Sequence, residues 1–215
     1  MPFKKFLMIA GAFAVFALAA VIGYFGPNWI RMREDAALMQ SFTPPHVPSP
    51  ISDAFAHDFN TLYAADRPMT MPDVPFADIH GKPVRISDFK GKPLLVNFWA
   101  TWCTPCVVEL PELKRFAQYY DGKLQVIGVA LEPGKGPEEI SKFLENRNIG
   151  DFAAYSDKSG QFGEKLGLRG VPTSFLIGSN GLIMYRFEGD ANWTSAQSKA
   201  FFDSFLAGSA PAKSQ

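Results

Sequence analysis

Cysteine is nearly absent from this chain: two occur in 215 residues, and both lie in Trp102-Cys103-Thr104-Pro105-Cys106. No second pair exists to staple the fold, so packing must hold the core. Histidine is almost as scarce. His46, His57 and His80 are scattered through upstream Pro-rich or turn-like sequence, whereas a tetrahedral zinc needs about four ligands, often as a second closely spaced pair. The cysteine pair therefore reads as a dithiol that can close and reopen rather than as half of a metal site. Met69 and Met71 flank Thr70 without a nearby cysteine or histidine, which makes a poor copper site. Net charge is absent too: 21 Lys and Arg balance 21 Asp and Glu, so no nucleic-acid surface is indicated. There is no internal repeat and no phosphate-binding glycine loop, and no cofactor is implied.

What is present is organised around that pair. Lys92 to Ala100 is a short apolar run rich in bulky residues, which predicts a buried parallel strand. From Val107 to Phe116 the apolar positions recur at helical spacing. The cysteines thus sit where a strand turns into a helix, with Cys103 at the helix N-terminus beside unpaired N–H groups and the positive end of the dipole. Both favour thiolate over thiol, which makes Cys103 the candidate nucleophile and Cys106, a turn further in, the candidate resolving thiol. Lowering a thiol pKa from about 8.5 to about 7 raises the thiolate fraction at pH 7 roughly 16-fold. A Brønsted slope near 0.45 takes back about 5-fold of this as lost nucleophilicity. The larger consequence is thermodynamic, about 30 mV for each tenfold change in the disulfide equilibrium.

Asn97-Phe98-Trp99-Ala100-Thr101-Trp102-Cys103-Thr104-Pro105-Cys106 resembles the active-site segment of thioredoxin-like proteins, in particular the membrane-anchored TlpA/ResA-like branch, and within it the TlpA thiol:disulfide interchange proteins. Pro111 matches the proline that kinks the active-site helix of that superfamily, and Gly170-Val171-Pro172-Thr173 matches the loop whose cis proline faces the disulfide. Phe76 to Lys92 resembles the hairpin that precedes the catalytic strand, and Gly189 to Ser195 looks like a C-terminal segment of TlpA proteins. The resemblance covers Pro72 to Leu206. It implies an α/β, thioredoxin-like fold with a central mixed β-sheet flanked by helices. It assigns Cys103, Cys106 and Glu109 to catalysis, and Trp102, Thr104, Pro105, Val171 and Pro172 to client contact. Asn97 departs from thioredoxin, which carries an aspartate there that moves protons; a neutral amide cannot. Glu109, three residues after Cys106, matches the glutamate held to move protons in ResA-like proteins, the alternative being a solvated first-turn glutamate that complements the dipole.

The implied activity is protein-disulfide reduction without a cofactor. Clients would be copper-binding proteins of cytochrome oxidase assembly or apocytochrome c, with re-reduction by a membrane donor of the DsbD/CcdA type. An oxidase or isomerase would use the same motif at a higher potential. A thioredoxin-fold peroxidase would need a peroxidatic cysteine setting that Trp99-Ala100-Thr101-Trp102-Cys103 lacks, and a copper chaperone would be expected to add a histidine.

Phe6 to Phe25 is a run of twenty residues without a charge, about 30 Å as helix and enough to cross a bilayer. Lys4 and Lys5 precede it, while Arg31, Arg33, Glu34 and Asp35 follow with no net positive excess. Positive-inside bias then places residues 1–5 in the bacterial cytoplasm and the rest in the periplasm, on a single-pass inner-membrane anchor. Ala17-Leu18-Ala19 also fits a cleavage site, the rival reading. Residues 26–68 read as a Pro-rich tether, in which Ile51, Phe55, Phe59 and Leu62 suggest a short helix. Residues 69–207 form the expected thioredoxin-like domain and 208–215 a tail. Further strands are expected at Leu124 to Leu131, Ser174 to Gly178 and Leu182 to Phe187, the last two joined by an Asn180-Gly181 turn. Helices are expected at Pro137 to Arg147, Ser159 to Gly167 and Trp193 to Leu206.

Overall fold

The computed structural model describes residues 37, 39–40, 42–44, 58–150, 152 and 155–209. The expected anchor at 6–25 and most of the tether lie outside them. No helix among the described residues is long and apolar enough to cross a membrane.

Eight strands form one mixed sheet: β1 (Phe59–Ala64), β2 (Phe76–Ala77), β3 (Pro83–Val84), β4 (Leu94–Trp99), β5 (Gln125–Ala130), β6 (Tyr155–Ser156), β7 (Thr173–Ile177) and β8 (Ile183–Ala191). Their spatial order is β1-β8-β7-β4-β5-β6-β2-β3. Among the described residues of this domain four α-helices accompany them: α1 (Thr104–Tyr119), α2 (Pro137–Glu145), α3 (Gln161–Leu166) and α4 (Ala196–Ser209). β4 pairs parallel with β5, and β5 with β6; parallel neighbours need crossover connections, which α1 and α2 supply. β7 and β8 close the other side antiparallel. Their hairpin turns through Gly178-Ser179-Asn180-Gly181, closed by Gly181 N–H donating to the Gly178 carbonyl at 2.9 Å. Of these four only Gly181 takes a left-handed φ, 83°, so Asn180-Gly181 ends the turn rather than forming the two-residue central pair that the dipeptide suggested.

β4 explains how the site is carried. Every residue from Leu94 to Trp99 is buried, because the sheet is covered on both faces and successive side chains alternate between them. Leu94, Val96 and Phe98 join Phe162 of α3 and Phe175 of β7 in one cluster. Leu95 joins Leu113 and Phe116 of α1 and Phe201 and Phe202 of α4 in another. Trp99 packs with Leu110 of α1 and Ile140 and Leu144 of α2. Asn97, between Leu95 and Trp99 in the alternation, falls on the α1 face.

The folded sheet begins upstream of residue 69. Phe59 and Leu62, expected on a helix within the tether, lie instead on strand β1, paired antiparallel with β8. Phe59 is buried against Phe187 and Trp193, with ring centroids 4.8 and 5.6 Å away. Its local helical spacing is overridden because the β8 edge offers backbone partners and an aromatic pocket. Ile51 and Phe55 lie outside the described residues. α1 starts earlier than the periodicity suggested, at Thr104, with Pro105 in its first turn, a position where the missing N–H costs nothing. Met71 is a core residue and Met69 an exposed one, so the two do not act together.

The aromatic cluster under α1 and α4 sets a stability test. Phe202 is fully buried, with Phe116 at 4.7 Å and Phe201 at 5.1 Å between ring centroids. Phe202→Ala should destabilise the domain by about 3–5 kcal/mol, the range for truncating a buried aromatic, read from the denaturant midpoint. A loss below about 1 kcal/mol would show that α4 is dispensable to the core.

Candidate active site

Cys103 and Cys106 form a disulfide, S–S 2.00 Å, at the start of α1. Cys103 is the N-cap residue of that helix, and its sulfur accepts from Cys106 N–H at 3.3 Å. On reduction this N–H and the helix dipole both favour a thiolate on Cys103. The Val171 carbonyl oxygen lies 3.6 Å from the same sulfur. It can accept from a thiol and repels a thiolate, so the two neighbours pull the Cys103 proton affinity in opposite directions. The Val171–Pro172 bond is cis, and the loop holding it leads into β7.

The surroundings divide into a rim and a buried floor. Trp102 is 71% exposed and Val108 72% exposed, and Thr104 and Pro105 are exposed between them. This apolar and polar rim beside a disulfide suits contact with another polypeptide. A groove of about 540 Å³ runs alongside, lined by Thr104, Pro105, Val108, Glu109, Glu112 and Asp190 among others.

The floor is Glu109. It is only 4% exposed, so the solvated first-turn reading does not hold. Its Oε1 accepts from Asn97 Nδ2 at 2.9 Å. Its Oε2 accepts from Ala191 N–H at 3.1 Å and from the Trp193 indole N–H at 3.2 Å. Burial raises the carboxyl pKa from 4.5 to about 7, outweighing these three donors, and the nearby Asp190 adds to the rise. A carboxyl with this affinity exchanges protons at neutral pH.

A second buried carboxylate behaves in the opposite way. Glu132, just past β5, accepts from Thr101 N–H and pairs with Lys135, whose ammonium also donates to Thr101 Oγ1 at 2.8 Å. Burial pushes its pKa up, but the Lys135 and Thr101 bonds outweigh it and hold the carboxyl below its usual value. Glu132 thereby clamps the backbone one residue before Trp102. Nothing in the local sequence flags it, because it lies about thirty residues from the motif and meets it only through the parallel β4–β5 register. Trp193 and Ala191 were likewise hidden: the segment Gly189 to Ser195 carries a family resemblance, but nothing in it marks these two as donors to Glu109.

The Redoxin family profile matches residues 66–201, more than half of the chain. The chain belongs to the Redoxin family. Thiol-disulfide oxidoreductase ResA of Geobacillus thermodenitrificans is 32% identical over 129 residues, 60% of this chain and 73% of that protein. Thiol:disulfide interchange protein DsbE of Vibrio cholerae is 34% identical over 125 residues, 57% of this chain and 65% of that protein. Among solved structures, one from Chlorobium tepidum assigned as a DsbE thiol:disulfide interchange protein matches with a TM-score of 0.56 and 30% identity, covering 68% of this chain and all of that one. The expected thioredoxin-like α/β fold and the ResA-like affinity are borne out. With its Cys103–Cys106 disulfide, this Redoxin-family member is a thiol–disulfide oxidoreductase of the ResA/DsbE type.

Glu109 makes folding stability depend on pH. Its folded pKa lies above its unfolded value, so between pH 4.5 and about 7 the folded state holds a proton that the unfolded state has lost. Stability attributable to this group therefore falls as pH rises through that window, by up to about 3 kcal/mol. Glu109→Gln should remove this slope, leaving a flatter stability profile between pH 5 and 7 in denaturant titrations. An unchanged slope would mean that Glu109 ionises in the folded protein as it does in water.

Proposed function

We propose that this protein is an exported, membrane-tethered protein-disulfide reductase, with the charge-free run at 6–25 as its anchor and the folded domain in the bacterial periplasm. The observation that carries the reductase chemistry is the seating of the disulfide. Cys103 caps α1 beside an exposed rim, and a carboxyl with a pKa of about 7 lies buried one turn beyond Cys106. In the reduced enzyme the Cys103 thiolate attacks a client disulfide, forming a mixed disulfide and expelling a client thiolate. The Cys106 thiol then loses its proton, with Glu109 as acceptor, and attacks Cys103 Sγ. The second client sulfur leaves, the client gains two electrons and the Cys103–Cys106 disulfide re-forms. Trp102, Thr104, Pro105, Val171 and Pro172 hold the client, Val171 by backbone pairing with an extended segment.

Clients in this reading are copper-site assembly proteins of cytochrome oxidase or apocytochrome c, and the oxidised enzyme is recharged by a membrane dithiol donor of the DsbD/CcdA type. The relatives named thiol-disulfide oxidoreductase ResA and thiol:disulfide interchange protein DsbE support the exchange chemistry by likeness. Lys4 and Lys5 ahead of the apolar run support the topology.

Two experiments decide the mechanism and its direction. Cys103→Ser should abolish turnover, whereas Cys106→Ser should accumulate a mixed disulfide with the client in cells; failure of the second variant to trap anything would remove the exchange mechanism. Equilibration with glutathione or dithiothreitol buffers should place the Cys103–Cys106 potential well below the roughly −120 mV of a strong oxidant of the DsbA type. A value at or above that level would make the protein a disulfide donor.

A further inference from the structure

Asn97 is fully buried in the middle of β4. Both hydrogens of its amide are used: Nδ2 donates to Glu109 Oε1 at 2.9 Å and to Ser174 Oγ at 3.0 Å. Its carbonyl oxygen, equally buried, has no hydrogen-bond partner among the described residues. A buried unpaired carbonyl is costly and calls for a reason.

The reason lies in what the three groups can exchange. On Glu109, Oε2 is occupied by Ala191 N–H and the Trp193 indole. Both donors are fixed, one in the β8 backbone and the other on a fully buried ring. A proton on the carboxyl therefore belongs on Oε1, the oxygen facing Asn97. There it would meet the amide N–H head on. A half-turn of the amide about its terminal bond removes that conflict, because Oδ1 then accepts from Glu109 Oε1–H and also from Ser174 Oγ–H. A hydroxyl can donate or accept equally well. The two amide orientations thus keep the same two hydrogen bonds, one set with the carboxylate and the other with the carboxylic acid. The cost of each is an unpaired group at the amide's far end.

We propose that Asn97 is a positioning residue for the Glu109 proton: with Ser174 it donates to the carboxylate and turns over to accept from the carboxylic acid. The charged and titratable groups facing Glu109 are Asp190 of β8 and Glu112 along α1. β4 and β7 contribute the uncharged Asn97 and Ser174. The relevance of this device to exchange rests on Glu109 accepting the Cys106 proton, as read above.

The test uses the full-length chain in its oxidised form, where the disulfide removes both thiols from titration. The Asn97 side-chain amide signals, followed by ¹⁵N NMR from pH 4.5 to 9, should shift with one midpoint near 7, shared with the Glu109 carboxyl carbon. In Glu109→Gln the Asn97 response should vanish. Because Asn97 serves both forms, Asn97→Ala should raise the Glu109 midpoint by well under about one pH unit, the remainder being the greater strength of the charge-assisted bond to the carboxylate. Asn97 signals that ignore the Glu109 titration, or a midpoint that rises by more than about one pH unit in Asn97→Ala, would overturn the inference, and the unmutated chain supplies the first readout even if that variant does not fold. The two readings fail separately. If Glu109→Gln leaves the pH profile of exchange untouched while Asn97 still follows Glu109, the inference holds and the assignment of Glu109 as proton acceptor falls.

Discussion

The burial of the Glu109 carboxyl is the constraint on which the rest of the site depends. Three donors reach it, from Asn97 on β4, Ala191 on β8 and Trp193 just beyond β8. They come from segments almost a hundred residues apart, so this one side chain fixes how α1 lies against the sheet. An isolated carboxylate in such a place would be heavily penalised, and the hydrogen bonds offset only part of the desolvation. What remains is a group poised near neutrality. A better solvated Glu109 would be more comfortable and, for proton transfer at neutral pH, less useful.

Glu132 shows that burial alone does not decide the outcome. Both glutamates are 4% exposed, yet one carboxyl is raised and the other lowered. Glu132 sits nearer the surface, against the half-exposed Lys135, and has that ammonium as a full opposite charge, where the more deeply enclosed Glu109 has only neutral dipoles and the like charge of Asp190. Two buried carboxyls of one fold thus take different tasks from their neighbours. Glu109 is left poised near neutrality, while Glu132 stays ionised and holds the Thr101 backbone that leads into the cysteines. The clamp matters because Thr101 lies two residues before Cys103, the N-cap of α1, where the chain turns from strand into helix.

The parts legible in the sequence were those whose signal is local. The apolar run of β4, the β7–β8 turn that ends at Gly181, Pro137 opening α2 and Gly167 closing α3 each follow from short-range chemistry, and each occurs within a few residues of its expected place. So did the cysteine pair and the Val171–Pro172 loop, carried by motif. Phe59 and Leu62 misled because helical spacing in a short window does not see the strand edge waiting at β8. Glu132, Trp193 and Ser174 were invisible for a related reason. Their roles arise from contacts made across the sheet, and a lone glutamate or serine outside a motif has no pattern to announce it. The affinity of Glu109 was anticipated only as a proton-moving role, carried by resemblance and by its spacing from Cys106. The network that sets it was not.

That network also bears on where this fold keeps its acid. Thioredoxin carries an aspartate at the strand position that Asn97 fills, anchored to the sheet. Here the acid belongs to α1, the helix that bears Cys106, three residues earlier. On a rigid helix that spacing is fixed by the helical turn, so any shift of α1 carries acid and resolving thiol together. Proton affinity is set from the other side, by donors on β4 and β8 that do not move with the helix. Distance and affinity are therefore controlled by different elements. A displacement of α1 upon client binding would leave the Glu109–Cys106 relation intact while stretching the bonds from Asn97, Ala191 and Trp193. Weakening those donors favours the protonated acid. In the proposed mechanism, engagement that loosened α1 would thus raise the tendency of Glu109 to take a proton at the step where Cys106 gives one up.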